Sequence, residues 1–176
     1  MAELTAEAFR RQVGLFATGV CVITVQDNRQ VLGMTANAFT SLSLDPLLVL
    51  VAFARDAHTL AAVARSGAYA VNLLSREQEN LSRHFAGRAK SPPEVHFEPF
   101  AGGPRLVGSL ATIGCEVETM VPAGDHQLVI GRVVALTPPP PPGERPLVFW
   151  RGAYWRLPAG DAGPAPSLEG EQIFFD

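Results

Sequence analysis

The stretch GMTANAFTSLSLDPLLVLVAF, from Gly33 to Phe53, decides how the fold is read. Its first half is a string of small side chains: Thr35, Ala36, Asn37, Ala38, then Thr40, Ser41 and Ser43. Its second half, Pro46 to Ala54, is apolar and uncharged. It shows no alternation, which predicts a strand buried on both faces. Small polar residues directly before such a strand have two readings. They fill a crowded barrel corner, or they keep a wall thin so that a flat ligand reaches backbone amides and hydroxyls. Residue types alone leave both open.

Upstream of that stretch, Thr5 is placed to cap a helix, with Phe9, Val13 and Phe16 at helical spacing and Gly19 after the end. Val20–Gln26 is rich in β-branched residues and predicts a strand. Asp27, Asn28 and Arg29 form a turn, and Val31 begins a return strand into the opening stretch. Downstream, Asp56 is expected to cap a helix that stops at Gly67. Ala68–Leu74 is a buried strand. Ser75 and Gln78 match a capping box and open a helix with Leu81 and Phe85 on one face, ending near Gly87. A Pro/Gly loop follows.

ATIGCEVETMV then alternates strictly. Ala111, Ile113, Cys115 and Val117 are expected on one face, with Thr112, Gly114, Glu116 and Glu118 on a solvated one. PAGDH (Pro122–His126) turns the chain back into QLVIGRVVAL. PPPPPG is a stiff connector before two short strands, LVFW and AYWRL. Residues 1–157 are expected to form one domain. Residues 158–176 form a Pro/Gly/Ala-rich tail whose end, EQIFFD, is apolar enough to dock. About seven strands joined mainly by short turns, with two or three helices, predict a mainly β protein: a closed or split barrel with flanking helices. A doubly wound sheet needs helices between nearly all strands, and they are missing.

The 176 residues suit a single domain, and an apolar fraction of 47% supports a full core. A net charge of −3 with no basic block argues against nucleic acid. Cys21 and Cys115 lie in apolar runs and read as buried thiols rather than a disulfide or metal pair. The start lacks a signal pattern, and no apolar run approaches the ~20 residues of a membrane span, so a soluble cytoplasmic protein is expected. The four histidines are too scattered for a metal site. No GxGxxG, P-loop, HExxH or GxSxG pattern is present, so a bound nucleotide would not be held by a Rossmann turn.

Three constellations remain, each with a bland alternative. Thr35–Ser43 is a ligand wall or a barrel corner. Arg55 to Thr59 sets a cation and a hydroxyl at a helix N-terminus, a phosphate cradle or an ordinary capped helix. Gly124-Asp125-His126 puts an imidazole at a hairpin mouth, over a cleft or simply in solvent.

In this order, FATGVCVITV, GMTANAFTSLSLDPLLVLVAF, ARDAHTLAAVARSGAYAVNLL, ENLSRHFAG and PAGDHQLVIGRVVAL resemble the flavin reductase-like family, over roughly residues 9 to 155. These are NAD(P)H:flavin oxidoreductases of split-barrel fold that often serve a two-component monooxygenase. The resemblance implies that Thr35, Ala36, Asn37, Ser41, Leu42 and Ser43 line the ring and ribityl chain of FMN, with FAD possible. Arg55, His58 and Thr59 would hold the phosphate, Phe85 would lie near the flavin, and His126 would lie in the nicotinamide cleft as the catalytic residue. It further implies NADH or NADPH as hydride donor, no metal, a homodimer with the site near its interface, and a flavin-dependent monooxygenase as partner. His58 stands where small polar residues are often found. Such chemistry needs orientation more than a strong base, in keeping with the lack of a catalytic triad. An FMN carrier without turnover, an oxidase related to the pyridoxamine-phosphate enzymes, and a barrel module without flavin are the alternatives.

Overall fold

The structure, a computed structural model, describes residues 3–157. The elements run α1 (Ala6–Val13), β1 (Thr18–Gly19), β2 (Cys21–Asp27), β3 (Gln30–Ala36), β4 (Phe39–Leu44), β5 (Leu47–Ala54), α2 (His58–Ser66) and β6 (Ala68–Leu73). A single 3₁₀ turn, Arg76–Gln78, leads into α3 (Glu79–Phe85). Then come β7 (Phe97–Glu98), β8 (Arg105–Leu106), β9 (Ala111–Ala123), β10 (His126–Leu136), β11 (Leu147–Trp150) and β12 (Ala153–Arg156).

Seven strands form one antiparallel sheet in the order β3-β2-β6-β9-β10-β5-β4. Its two edges, β3 and β4, follow each other in the chain, separated only by Asn37 and Ala38. The sheet therefore curls until its ends are two residues apart, and the remaining opening is a seam beside that link. The mainly β architecture with flanking helices is as expected, and the open seam is consistent with a split barrel.

The core has two layers. Ile23, Val25, Val49, Val51, Phe53, Tyr69, Val71 and Val129 pack with Ala62 and Val63 of α2. Val20, just before β2, and Val22, on the other face of that strand, pack with Leu74, Leu106 and Leu147, joined by Leu81 and Phe85 of α3. Alternate residues of β2 thus serve different layers, because successive side chains of a strand point to opposite faces. Asn72 ties the layers together. Its Nδ2 donates to Val22 O at 3.0 Å and Thr24 Oγ1 at 2.9 Å, while its Oδ1 accepts from Leu106 N at 2.8 Å and Thr112 Oγ1 at 3.1 Å.

Four local expectations are corrected. The strand β5 alternates, with Val49, Val51 and Phe53 buried and Leu48, Leu50 and Ala52 half-exposed, because only one face meets the core. The first helix stops at Gly14 rather than near Gly19, and none of its residues is buried. Thr5 caps it as expected, accepting from Ala8 N at 3.1 Å. The N-cap of α2 is Ala57, without a side-chain cap, and Asp56 lies outside it. In β9, Thr112 and Gly114 are buried, because the Pro99–Pro104 loop crosses that face; a Cβ on Gly114 would lie 1.8 Å from Ala101 O. From Glu116 onward the expected alternation holds up to Glu118.

The other boundaries fall close to the sequence reading. Gly67 ends α2 with φ +69°, and the Ser75/Gln78 capping box forms. Both cysteines are buried free thiols, and burial pushes each pKa up to about 12. No described helix is long and apolar enough to cross a membrane, and no His/Cys/Asp/Glu group among the described residues could hold a metal. The expected tail, residues 158–176, lies outside the described residues.

Candidate functional site

Thr35, Ala36 and Asn37, the end of β3 and the start of the seam, form one wall of a cavity of about 480 Å³. The helix α3 supplies Glu79 and Arg83, the loop after it Arg88, and the β11–β12 hairpin Gly152, Ala153 and Tyr154. These walls are tied to one another. Thr35 Oγ1 donates to Ser82 O at 2.6 Å, and Ser82 Oγ shares a hydrogen bond of 2.8 Å with Tyr154 OH. Arg83 lies over the Tyr154 ring at 4.8 Å and pairs with Glu79 at 2.7 Å. Asn37 Nδ2 donates to Thr18 Oγ1 at 3.2 Å. The cavity is thus floored by small side chains and an aromatic ring, with two guanidinium groups at its rim.

The second and third constellations come together on the other side of the seam. Ala38 O accepts from Ala52 N at 3.0 Å, anchoring the link to the last turn of β5. Two residues on, Ala54 stands opposite His126. Arg55 N donates to Asp125 O at 3.2 Å, and Arg55 Nε reaches His126 O at 3.5 Å. His126 Nδ1 donates to Asp125 Oδ1 at 2.7 Å. That hydrogen bond, then the imidazole's charge, hold the Asp125 carboxyl below its ordinary range. The bond also fixes the ring and leaves Nε2 directed elsewhere. His58 is exposed at the start of α2, and Thr59 is buried behind it.

The remaining expected residues are placed differently. Ser41, Leu42 and Ser43 lie on the edge strand β4 at a bulge and do not line the cavity. Ser43 Oγ accepts from Asp45 N at 3.2 Å, a turn contact. Phe85 packs in the outer layer: a Cβ on Gly33 would lie 2.5 Å from its ring, and its centroid is 6.3 Å from that of Phe97. Arg83, Arg88, Glu79 and Tyr154 were not singled out from the sequence. The Glu79/Arg83 spacing of four was the available signal for the first pair. Nothing local marks Tyr154, which arrives from a hairpin some seventy residues away.

A curled sheet of this order thus carries a ring-sized cavity at its seam. Residues 13–158 match the flavin reductase like domain, and the chain belongs to that family. It is 42% identical over 158 residues to an NADH-dependent flavin reductase of Rhodococcus sp, covering 88% of each chain. It is 39% identical to the reductase component of 4-hydroxyphenylacetate 3-monooxygenase of Thermus thermophilus, covering 86% of this chain and 96% of that one. Among solved structures, flavin reductase PheA2 superposes with a TM-score of 0.83 at 44% identity, over 88% of this chain and 99% of the other.

The residues present fit a flavin. The cavity lies in the ~300–1,000 Å³ range of small-molecule sites. Its floor of Thr35, Ala36, Gly152 and Ala153 leaves room for a flat ring, and Arg83 and Arg88 offer positive charge for a phosphate.

Proposed function

We propose that this protein is an NADH-dependent flavin reductase that supplies reduced flavin to a separate flavin-dependent monooxygenase. The observation that carries the reading is the cavity at the barrel seam, where Thr35–Asn37 face Tyr154 and two arginines within a flavin reductase like domain. The similar proteins from Rhodococcus and Thermus support the donor and the partner respectively.

Flavin, as FMN or FAD, accepts a hydride from the nicotinamide ring and carries the electrons onward. The chain's own residues bind and orient. Thr35, Ala36 and Asn37 present backbone and small side chains to the ring. Arg83 and Arg88 neutralise phosphate charge at the cavity rim, and Arg55 with the uncapped N-terminus of α2 (His58 and Thr59) adds a second positive end across the seam. His126, held by Asp125, positions the nicotinamide on that side through Nε2. Ser41, Leu42 and Ser43 shape the outer edge of the seam, and Phe85 supports the floor from behind through Gly33.

The protein acts as a cytoplasmic homodimer in this reading. Phe9 and Phe16 are 71% and 75% exposed around an eight-residue helix with no buried residue. So short a helix is not stable by itself, and a second copy covers it. Leu42, Leu44 and Leu47 extend the same kind of exposed apolar surface on the β4–β5 hairpin. Two free thiols suit a reducing compartment.

The test is the loss of nicotinamide absorbance with purified protein, NADH or NADPH, and FMN or FAD. Oxidation that needs protein and flavin together, faster with NADH, is expected. A yellow protein without turnover would favour a flavin carrier and overturn the reductase reading.

A further inference from the structure

Ser82 is the one fully buried residue of α3. A buried hydroxyl needs a partner, and a serine in a helix ordinarily finds it in the carbonyl four residues back. Here Ser82 Oγ lies 2.8 Å from Tyr154 OH, on a hairpin 72 residues further along the chain. Its carbonyl is engaged outside the helix as well. Ser82 O accepts from Ala86 N at 3.1 Å, the helical bond, and from Thr35 Oγ1 at 2.6 Å. A carbonyl oxygen has two lone pairs, and both are used. One residue thus grips two facing walls of the cavity, Thr35 of β3 and Tyr154 of β12, without lining the cavity itself.

The Tyr154 wall depends on that grip. β12 pairs only with β11, in a three-stranded sheet apart from the main seven, and β11 meets β1 at just Thr18 and Gly19. The Tyr154 ring also touches Arg83, at 4.8 Å, and Phe149, edge-on at 5.3 Å. Arg83 is exposed, and Phe149 belongs to the hairpin itself. Neither fixes the hairpin to α3 as a bond to a fully buried atom does. That bond also turns the Tyr154 hydroxyl into the protein, so Tyr154 offers the cavity its ring. The cavity is the one assigned above to the flavin, and the present inference rests on that reading. We propose that Ser82 is a positioning residue for the flavin: by holding Thr35 and Tyr154 to one buried point, it sets the separation of the two walls that receive the ring. Its side chain acts through Tyr154 and its carbonyl through Thr35.

The experiment removes the Ser82–Tyr154 bond from either end, with Ser82→Ala, Tyr154→Phe and the double variant. Each is titrated with FMN, followed by visible absorbance, and assayed with NADH well below its thermal midpoint. Each single change should weaken FMN binding about fivefold, the scale of one neutral hydrogen bond. KM for FMN should rise by the same factor while KM for NADH stays unchanged. The bands of bound FMN should move toward those of free FMN, a signature that lost stability alone does not give. The double variant should bind no more weakly than the weaker single one, because both changes remove the same bond. Native affinity and spectrum in both single variants, with only a lower thermal midpoint, would make Ser82 a purely structural serine and overturn the proposal. Strict additivity of the two changes would do the same. A rise in KM for NADH alone would set the nicotinamide against Tyr154 and equally overturn it. Should Ser82→Ala not fold, Tyr154→Phe, changed at the half-buried end of the bond, decides by itself. Failure of the native protein to bind FMN or FAD would instead sink the reductase reading, and this inference with it.

Discussion

Replacing Asn72 by Leu tests whether one buried amide holds the two layers together. Asn72 is fully buried, and so is Thr24; Leu106 and Thr112 are each 2% exposed. The change keeps roughly the same size but removes two donors and two acceptor contacts. Thr24 still has Pro104 O as an acceptor. Leu106 N–H and Thr112 O–H lose theirs, and a buried donor left without a partner costs about 1–3 kcal/mol. Apolar burial of the new side chain returns about 1.5–3 kcal/mol at most, since Asn72 already shields the site. The net expectation is a loss of about 2 kcal/mol. Urea unfolding followed by tryptophan fluorescence, without flavin, measures it as a lower midpoint at unchanged slope. Thr112→Val alone should cost about 1 kcal/mol by losing one hydrogen bond. In the Asn72→Leu background it should cost nearly nothing, because the orphaned hydroxyl disappears with it. A loss below about 0.5 kcal/mol for Asn72→Leu, or strict additivity of the pair, would refute this account of the network.

Four further outcomes are expected. His126→Ala should raise KM for NADH about tenfold, one contact's worth, with flavin affinity unchanged, and steady-state kinetics beside flavin titration checks it. Gly33→Ala should cost about 1–3 kcal/mol by driving a methyl into the Phe85 ring, seen as a lower thermal midpoint, whereas a midpoint equal to wild type would contradict the packing. Cys21 and Cys115 should resist a thiol reagent at pH 8 until urea is added, because burial keeps both protonated. Since their folded pKa values lie above the ordinary 9.0, their contribution to stability is complete below pH 9 and is lost as pH rises toward about 12, so Cys21→Ala should flatten that decline.

Much of the fold could be read from local chemistry. Gly67 and the Ser75/Gln78 box are punctuation whose meaning is set within four residues, and both stand where the pattern put them. The hairpin turns at Asn28 and Gly124 are equally local. The errors come from partners distant in sequence. Leu48 and Leu50 look like core residues, yet whether the second face of β5 is covered depends on elements the stretch does not contain. Thr112 and Gly114 look solvent-facing until the Pro99–Pro104 loop lies across them. The site divides the same way. Thr35–Asn37 and the Asp125–His126 pair were visible as residue types placed at turns. Arg83 and Tyr154 become neighbours only through the docking of a C-terminal hairpin on α3, and no spacing rule spans that distance.

The strand order has a kinetic meaning. In β3-β2-β6-β9-β10-β5-β4, only β2–β3, β4–β5 and β9–β10 are pairs of consecutive strands. These three hairpins need no distant chain, and each can close early, on the microsecond scale of an isolated hairpin. Joining them is another matter. Cys21 must find Leu73, Ala68 must find Glu116, and Ala54 must find His126, each across 48 to 72 residues. Two of those three searches involve the β9–β10 hairpin, so it is the piece on which the others assemble. High contact order of this kind places folding in the slow, millisecond-to-second class. During that interval the edges of β2, β5 and β6 are bare, and the seam does not yet exist. Its two sides become neighbours of a finished sheet only when the last distant pair locks, so the capacity to hold a ligand there arrives at the end of folding.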